Sequence, residues 1–204
     1  MGMVLSLCTL SDATIDRVLA DPPLIWRVVA PGDPEAYAEA CARQGRRGCL
    51  AGLFGRKPAP APAVPPPELQ LGADEGLHTD LDKAWHGIHF LVTGTAWAGE
   101  PPLDFLVAGG RAVGAEDMGY GAARAFTASE VRAIDAAVRA ISDEELERRY
   151  SPAAMKQADI YPDIWDRAGA EDNAREYAMG HVATLREFLA DAARRGVGMI
   201  VYLS

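Results

Sequence analysis

Cysteine is scarce in this chain. The 204 residues hold three, Cys8, Cys41 and Cys49, an odd number with no CxxC pair. That usage argues against a disulfide framework or a zinc knuckle and fits a reducing cytoplasm. Basic charge is also in deficit, with 20 Lys and Arg against 29 Asp and Glu and a formal charge of −9. A general nucleic-acid binder needs a basic face, and an anionic membrane repels an acidic protein, so neither is an expected partner. No apolar run approaches the ~20 residues of a membrane span. Met1 to Leu10 is apolar but lacks a basic n-region, and charge returns at Asp12, so it reads poorly as a signal peptide. Met1-Gly2-Met3-Val4-Leu5-Ser6 fits the loose myristoylation pattern, which an apolar N-terminal strand explains more simply. The expected location is the cytoplasm. Familiar catalytic signatures are missing too: there is no P-loop, no GxSxG elbow and no HExxH. Gly119-Tyr120-Gly121 lacks the third glycine of a dinucleotide fingerprint. No cofactor is expected.

What is present begins with clear element boundaries. Val4 to Leu10 reads as a strand ending at a helix cap, Ser11. Asp33-Pro34 opens a short helix through Arg43. Pro101-Pro102 leads into Leu103 to Ala108, which reads as a short buried strand closed by Gly109-Gly110. Gly114 to Gly121 reads as a loop. Thr127-Ala128-Ser129-Glu130 is a capping box, and Ser142 and Ser151-Pro152 start the next two helices. Asn173 to Arg195 is a long amphipathic helix stopped by Gly196, and Val197 to Leu203 is a closing strand. Strands at both ends and in the middle, with helices unevenly between, predict a single α+β domain over 1–204, its terminal strands in a small mixed sheet packed with several helices.

One stretch stands apart. Six of the fourteen prolines fall between Pro58 and Pro67, and such a run favours extended polyproline geometry. Between Cys41 and Pro67 there are five basic residues, Arg43, Arg46, Arg47, Arg56 and Lys57, and no acid. Leu50, Leu53 and Phe54 interleave with them, as in a short membrane or partner-binding element. The plainer reading, a flexible Pro-rich insertion at about 45–76, is the one adopted.

The richest chemistry lies in Asp80 to Val92. Leu81, Ala84, Trp85, Ile88, Leu91 and Val92 have the spacing of a core-facing helix, with Asp82, His86 and His89 on other or bordering faces. An acid–base site would draw on Asp82, His86, His89, Glu116, Asp117 and Tyr161, with Trp85, Tyr120 and Trp165 as binding walls. The alternative gives both histidines to buried backbone or carboxylate groups. His86 and His89 at i, i+3 lack the spacing of a zinc helix, and no metal site is expected. Cys8, in a buried strand, reads as an inert core thiol.

Several of these segments carry a resemblance. Met1-Gly2-Met3, the Leu81 to Leu91 run, Gly119-Tyr120-Gly121-Ala122-Ala123-Arg124, Tyr161-Pro162-Asp163-Ile164-Trp165 and Val201-Tyr202-Leu203 together resemble the YfbM-like family of small bacterial proteins. The resemblance implies a compact mixed α/β domain and no activity, because the function of that family is unknown. Two classes of function follow from the residues. One is a small interaction module with an acidic surface, which would suit a basic protein partner and includes an immunity-type neutraliser of a basic toxin. The other is a small enzyme using the Asp/His/Glu cluster in a Trp-lined cleft. Oligomeric state is not legible.

Overall fold

The computed structural model describes residues 2–48, 69–167 and 173–204. Its frame is a five-stranded sheet in the order β2-β1-β5-β4-β3. The strands are β1 (Leu5–Leu10), β2 (His78–Asp80), β3 (Arg111–Asp117), β4 (Ala122–Phe126) and β5 (Gly198–Leu203). The two ends of the chain meet at its centre: β1 pairs with β5 over six residues, from Leu5↔Leu203 to Leu10↔Gly198. The α+β class holds and one detail changes. Every neighbouring pair is antiparallel, so the sheet is not mixed.

Both faces of the sheet are covered, which is why β1 and β5 are apolar almost throughout. Alternation sends Leu5, Leu7, Met199 and Val201 to one face and Cys8, Leu10 and Ile200 to the other. The first face receives the larger layer: α4 (Trp85–Thr93), α5 (Ala128–Ala140), α6 (Asp143–Arg149), α7 (Pro152–Gln157) and the 22-residue α8 (Ala174–Arg195). The second receives α1 (Asp12–Ala20), a 3-10 turn at Pro22–Leu24, α2 (Ile25–Val29) and the Tyr37 side of α3 (Pro34–Gly48).

Local signals set the helix ends. Ser11 accepts from the Thr14 N–H, and Thr127 and Glu130 complete their capping box. Gly196 ends α8 at φ 68°, a conformation that glycine adopts without a Cβ penalty. The Asp80–Val92 stretch, expected as one helix, is a 3-10 turn over Asp82–Ala84 followed by α4.

Three further expectations change. Leu103 to Ala108 is a succession of turns and not a strand, although Phe105 and Leu106 are buried as expected. Its carbonyls find another donor: Arg124 bonds those of Phe105, Leu106 and Ala108. A side chain thus replaces a sheet neighbour. The expected loop from Gly114 begins instead within β3, where the pairing with β4 shifts register between Ala112 and Asp117. Finally, the described ends of the 45–76 segment belong to the fold. Helix α3 reaches Gly48, and Leu69 and Leu71 pack on the α1–α3 side of the core. Glu75 accepts from the Ser11 N–H at 2.7 Å. Burial would raise the Glu75 carboxyl, but hydrogen bonds from Ser11, Thr14 and the Gly72 backbone outweigh it and hold it at about 2. The proline run, with Cys49, Leu50, Leu53, Phe54, Arg56 and Lys57, lies outside the described residues.

Candidate functional site

His86 and His89 come from α4, whose apolar stripe turns Trp85, Ile88 and Leu91 into the core and carries both imidazoles in with it. Both are 0% exposed. His86 Nε2 lies 2.8 Å from the Ala96 carbonyl, and its Nδ1 accepts the Tyr161 N–H at 3.0 Å. An acceptor on one side and a donor on the other assign the proton to Nε2 and leave the ring neutral. The ring stacks on Trp85 at 5.0 Å and packs against Trp97 at 4.2 Å. His89 Nε2 lies 3.0 Å from the Ala98 carbonyl. Burial pushes both imidazoles below their ordinary pKa, against the pull of the Ala96 and Ala98 carbonyls. A neutral imidazole locked between backbone groups is a strut. To serve as a general base, His86 would have to give up the Tyr161 N–H.

The other expected site residues do not converge on it. Asp82 accepts from the Tyr177 hydroxyl at 2.8 Å. The Tyr161 hydroxyl accepts the Met3 N–H at 2.9 Å. Trp165 is buried beneath Gly87, donating to the Ile160 carbonyl, and a Cβ at 87 would stand 2.3 Å from its ring. Glu116 belongs to the opposite side of the sheet. It is 4% exposed and accepts from Trp26 Nε1 at 3.4 Å and Arg43 at 3.3 Å, tying β3 to α2 and α3. Asp117 accepts the N–H groups of Gly119 and Gly121 at 2.9 and 3.0 Å, closing the β3–β4 turn. The expected single pocket for Asp82, His86, Glu116, Asp117 and Tyr161 is therefore not formed, because β3 sends Glu116 to the α1–α3 side. Cys8 is fully buried, 3.3 Å from His78 Nε2, and burial pushes its thiol up to about 12, with Glu75 adding to the effect. Among the described residues no group of three or more His, Cys, Asp or Glu is placed to hold a metal ion. No helix among them is long and apolar enough to cross a membrane.

A concave site does exist nearby. A cleft of about 260 Å³ opens between α4, the 101–108 turns and the β4–β5 end of the sheet, with Trp85, Trp97, Tyr120, Leu106, Arg124 and Leu203 in its wall. Two of those aromatics face solvent: Trp97 is 63% exposed and Tyr120 48%. Trp97 stands 6.0 Å from Trp85, ring to ring, so an inner and an outer indole share one wall.

Each exposed aromatic is held from both flanks. His86 and His89 bond the carbonyls of Ala96 and Ala98, the residues on either side of Trp97. Asp117 bonds the N–H groups of Gly119 and Gly121, on either side of Tyr120. Three of the residues singled out in the sequence as acids and bases, His86, His89 and Asp117, thus act on two aromatics of one cleft wall, through backbone. Arg124 fixes the third wall by donating to Phe105 and Leu106 at 2.8 and 2.9 Å, and its guanidinium lies 5.6 Å over the Phe126 ring. Burial lowers it to about 10, with Asp104 pulling the other way.

The same chain matches, over residues 1–202, the model of a family described as a domain of unknown function, DUF1877. The chain belongs to the DUF1877 family. Its fold is similar to the crystal structure of YfbM from Escherichia coli, a protein of unknown function, with a TM-score of 0.60 and 18% identity over 98% of this chain and 99% of that one. At that identity the likeness shows a common fold. No curated protein matches the chain. The resemblance read from the Leu81–Leu91 and Tyr161–Trp165 segments is therefore correct.

For this DUF1877 protein the sequence located part of the cleft and missed part. Trp85 and Tyr120 were expected as binding walls and do line it; Trp165 was expected and does not. Trp97 and Arg124 are not among the site residues the sequence points to. Trp97 sits among small residues, Thr95-Ala96 and Ala98-Gly99, outside any periodic element. A large aromatic in such a setting has no helix or strand to bury it, and that is the signal that could have found it.

Proposed function

We propose that this DUF1877 protein is a binding module whose recognition site is the Trp97–Tyr120 cleft, and not an acid–base enzyme. The observation that carries the reading is the double bracket: two solvent-facing aromatics at one cleft, each with both neighbouring backbone groups held by a side chain. Exposed aromatics cost solubility unless something covers them. Holding them rigid in advance removes the ordering cost a ligand would otherwise meet. The enzyme alternative lacks such support, since both α4 imidazoles are engaged with backbone carbonyls.

The acidic balance of −9 supports a basic protein partner for the remaining surface. The cleft does not share that character, because Arg124 is the charged side chain of its wall. The free thiols of Cys8 and Cys41 suit a reducing cytoplasm. Small aromatic probes of any charge should shift the Trp97 indole N–H resonance in a saturable way, and Tyr120→Ala should abolish that shift without unfolding the chain. If no probe moves that resonance, the cleft is not a recognition site.

A further inference from the structure

Resting on the reading of the cleft as a recognition site, we infer that its ligand is a small planar monocarboxylate: one or two fused rings bearing a single carboxylate. Three features of the wall select this class. The first is size. A volume of about 260 Å³ is below the ~300–1,000 Å³ that encloses drug-sized molecules, so one ring system fills it. The second is the wall itself. Trp97 and Tyr120 are solvent-facing rings, Trp85 stands behind Trp97, and Leu106 and Leu203 complete an apolar surround. Stacking on such rings rewards a flat ligand.

The third feature is charge. Arg124 stands in the wall, and among the described residues it forms no ion pair; the Asp104 carboxylate acts on its charge from farther away. Its Nη1 and Nη2 bond backbone carbonyls, which orient the guanidinium without supplying a countercharge of their own. The Nε–H takes no part in those four bonds. A half-buried guanidinium with several donors already spent matches one anionic group and not the several oxygens of a di- or triphosphate. An ammonium ligand would meet like charge at the same place.

The test uses the full chain and three probes of one shape: 2-naphthoate, its neutral amide 2-naphthamide, and the cation 2-naphthylmethylammonium. Binding is read from the Trp97 indole N–H resonance, assigned through Trp97→Ala. The carboxylate should bind roughly tenfold or more tighter than the amide, and the ammonium weakest. Raising the salt should weaken the carboxylate and leave the amide unchanged. In Arg124→Gln the preference for carboxylate over amide should vanish; because this variant can also loosen the 101–108 turns, the three probes on the unaltered chain decide independently. Equal affinities, or an ammonium that binds tightest, overturn the carboxylate assignment and keep the cleft as a site. Silence of the Trp97 resonance towards all three overturns both.

Discussion

On the α4 side of the sheet the buried titratable groups include His86 and His89; on the α1–α3 side there is Glu116. The histidines are neutral and bond backbone carbonyls, so they add no charge to an apolar layer. Glu116 instead meets two side-chain donors, Trp26 and Arg43, and Arg43 also lies 5.9 Å over the Trp26 ring. That side closes on itself: the indole that could have been a platform is already covered by a cation. On the α4 side the indole of Trp97 has no such cover and stands beside a cleft. Both regions hold a titratable residue next to a tryptophan. What separates them is whether the tryptophan is covered or presented, and the proposed recognition site lies where it is presented.

The comparison can be broken most severely at Trp85, which is 1% exposed and forms both core and cleft wall. Trp85→Ala should cost about 3–5 kcal/mol in denaturant unfolding and abolish probe binding together. If stability falls and binding survives, the inner indole is not part of the site. Next in size is His86→Phe, which fills the space but strands the Ala96 carbonyl and the Tyr161 N–H. We expect a loss of roughly 2–4 kcal/mol, and a Trp97 signal that broadens as its bracket opens. An unchanged Trp97 signal would show that the bracket does not position the ring.

Glu116→Ala is the control on the other face. It removes an acceptor from Trp26 and Arg43 and should cost about 1–3 kcal/mol with probe affinity intact. A loss of affinity there would mean that the two faces are coupled. Smaller again, Asp117→Ala should cost about 1 kcal/mol, yet weaken probe binding several-fold by releasing the Tyr120 turn.

The smallest effect is a slope with pH. Burial holds the folded-state pKa of His86 and His89 below the unfolded value of about 6.5, so the unfolded chain takes up protons first. Stability is then complete above that value and falls as the pH drops through it. Unfolding measured from pH 8 to 5 should show this decline, and His86→Phe should flatten it. A decline equally steep in the variant would place the effect elsewhere.

Much of the scaffold was legible because its signals are local. The Thr127–Glu130 capping box, the Ser142 and Ser151 caps and the Gly196 stop each depend on a few adjacent residues, and each stands where the letters put it. Strand β2 was not legible: three residues, His78-Thr79-Asp80, carry no alternation and become a strand by pairing with Ser6 to Cys8. Leu103 to Ala108 reads as a strand because it is apolar and short, but its carbonyls are met by Arg124 from a different element.

The sequence by itself determined the α+β class and the apolar stripe of α4, since these rest on periodicity and on residues close in the chain, and its motifs carried the resemblance to the family; the burial of the two histidines was left open. Only the tertiary structure decided what the polar residues do. Their partners lie elsewhere in the chain: Ala96 for His86, Tyr161 beyond it, Arg43 for Glu116. A hydrogen bond is satisfied by whatever group the fold brings within reach, and no spacing along the chain specifies that group.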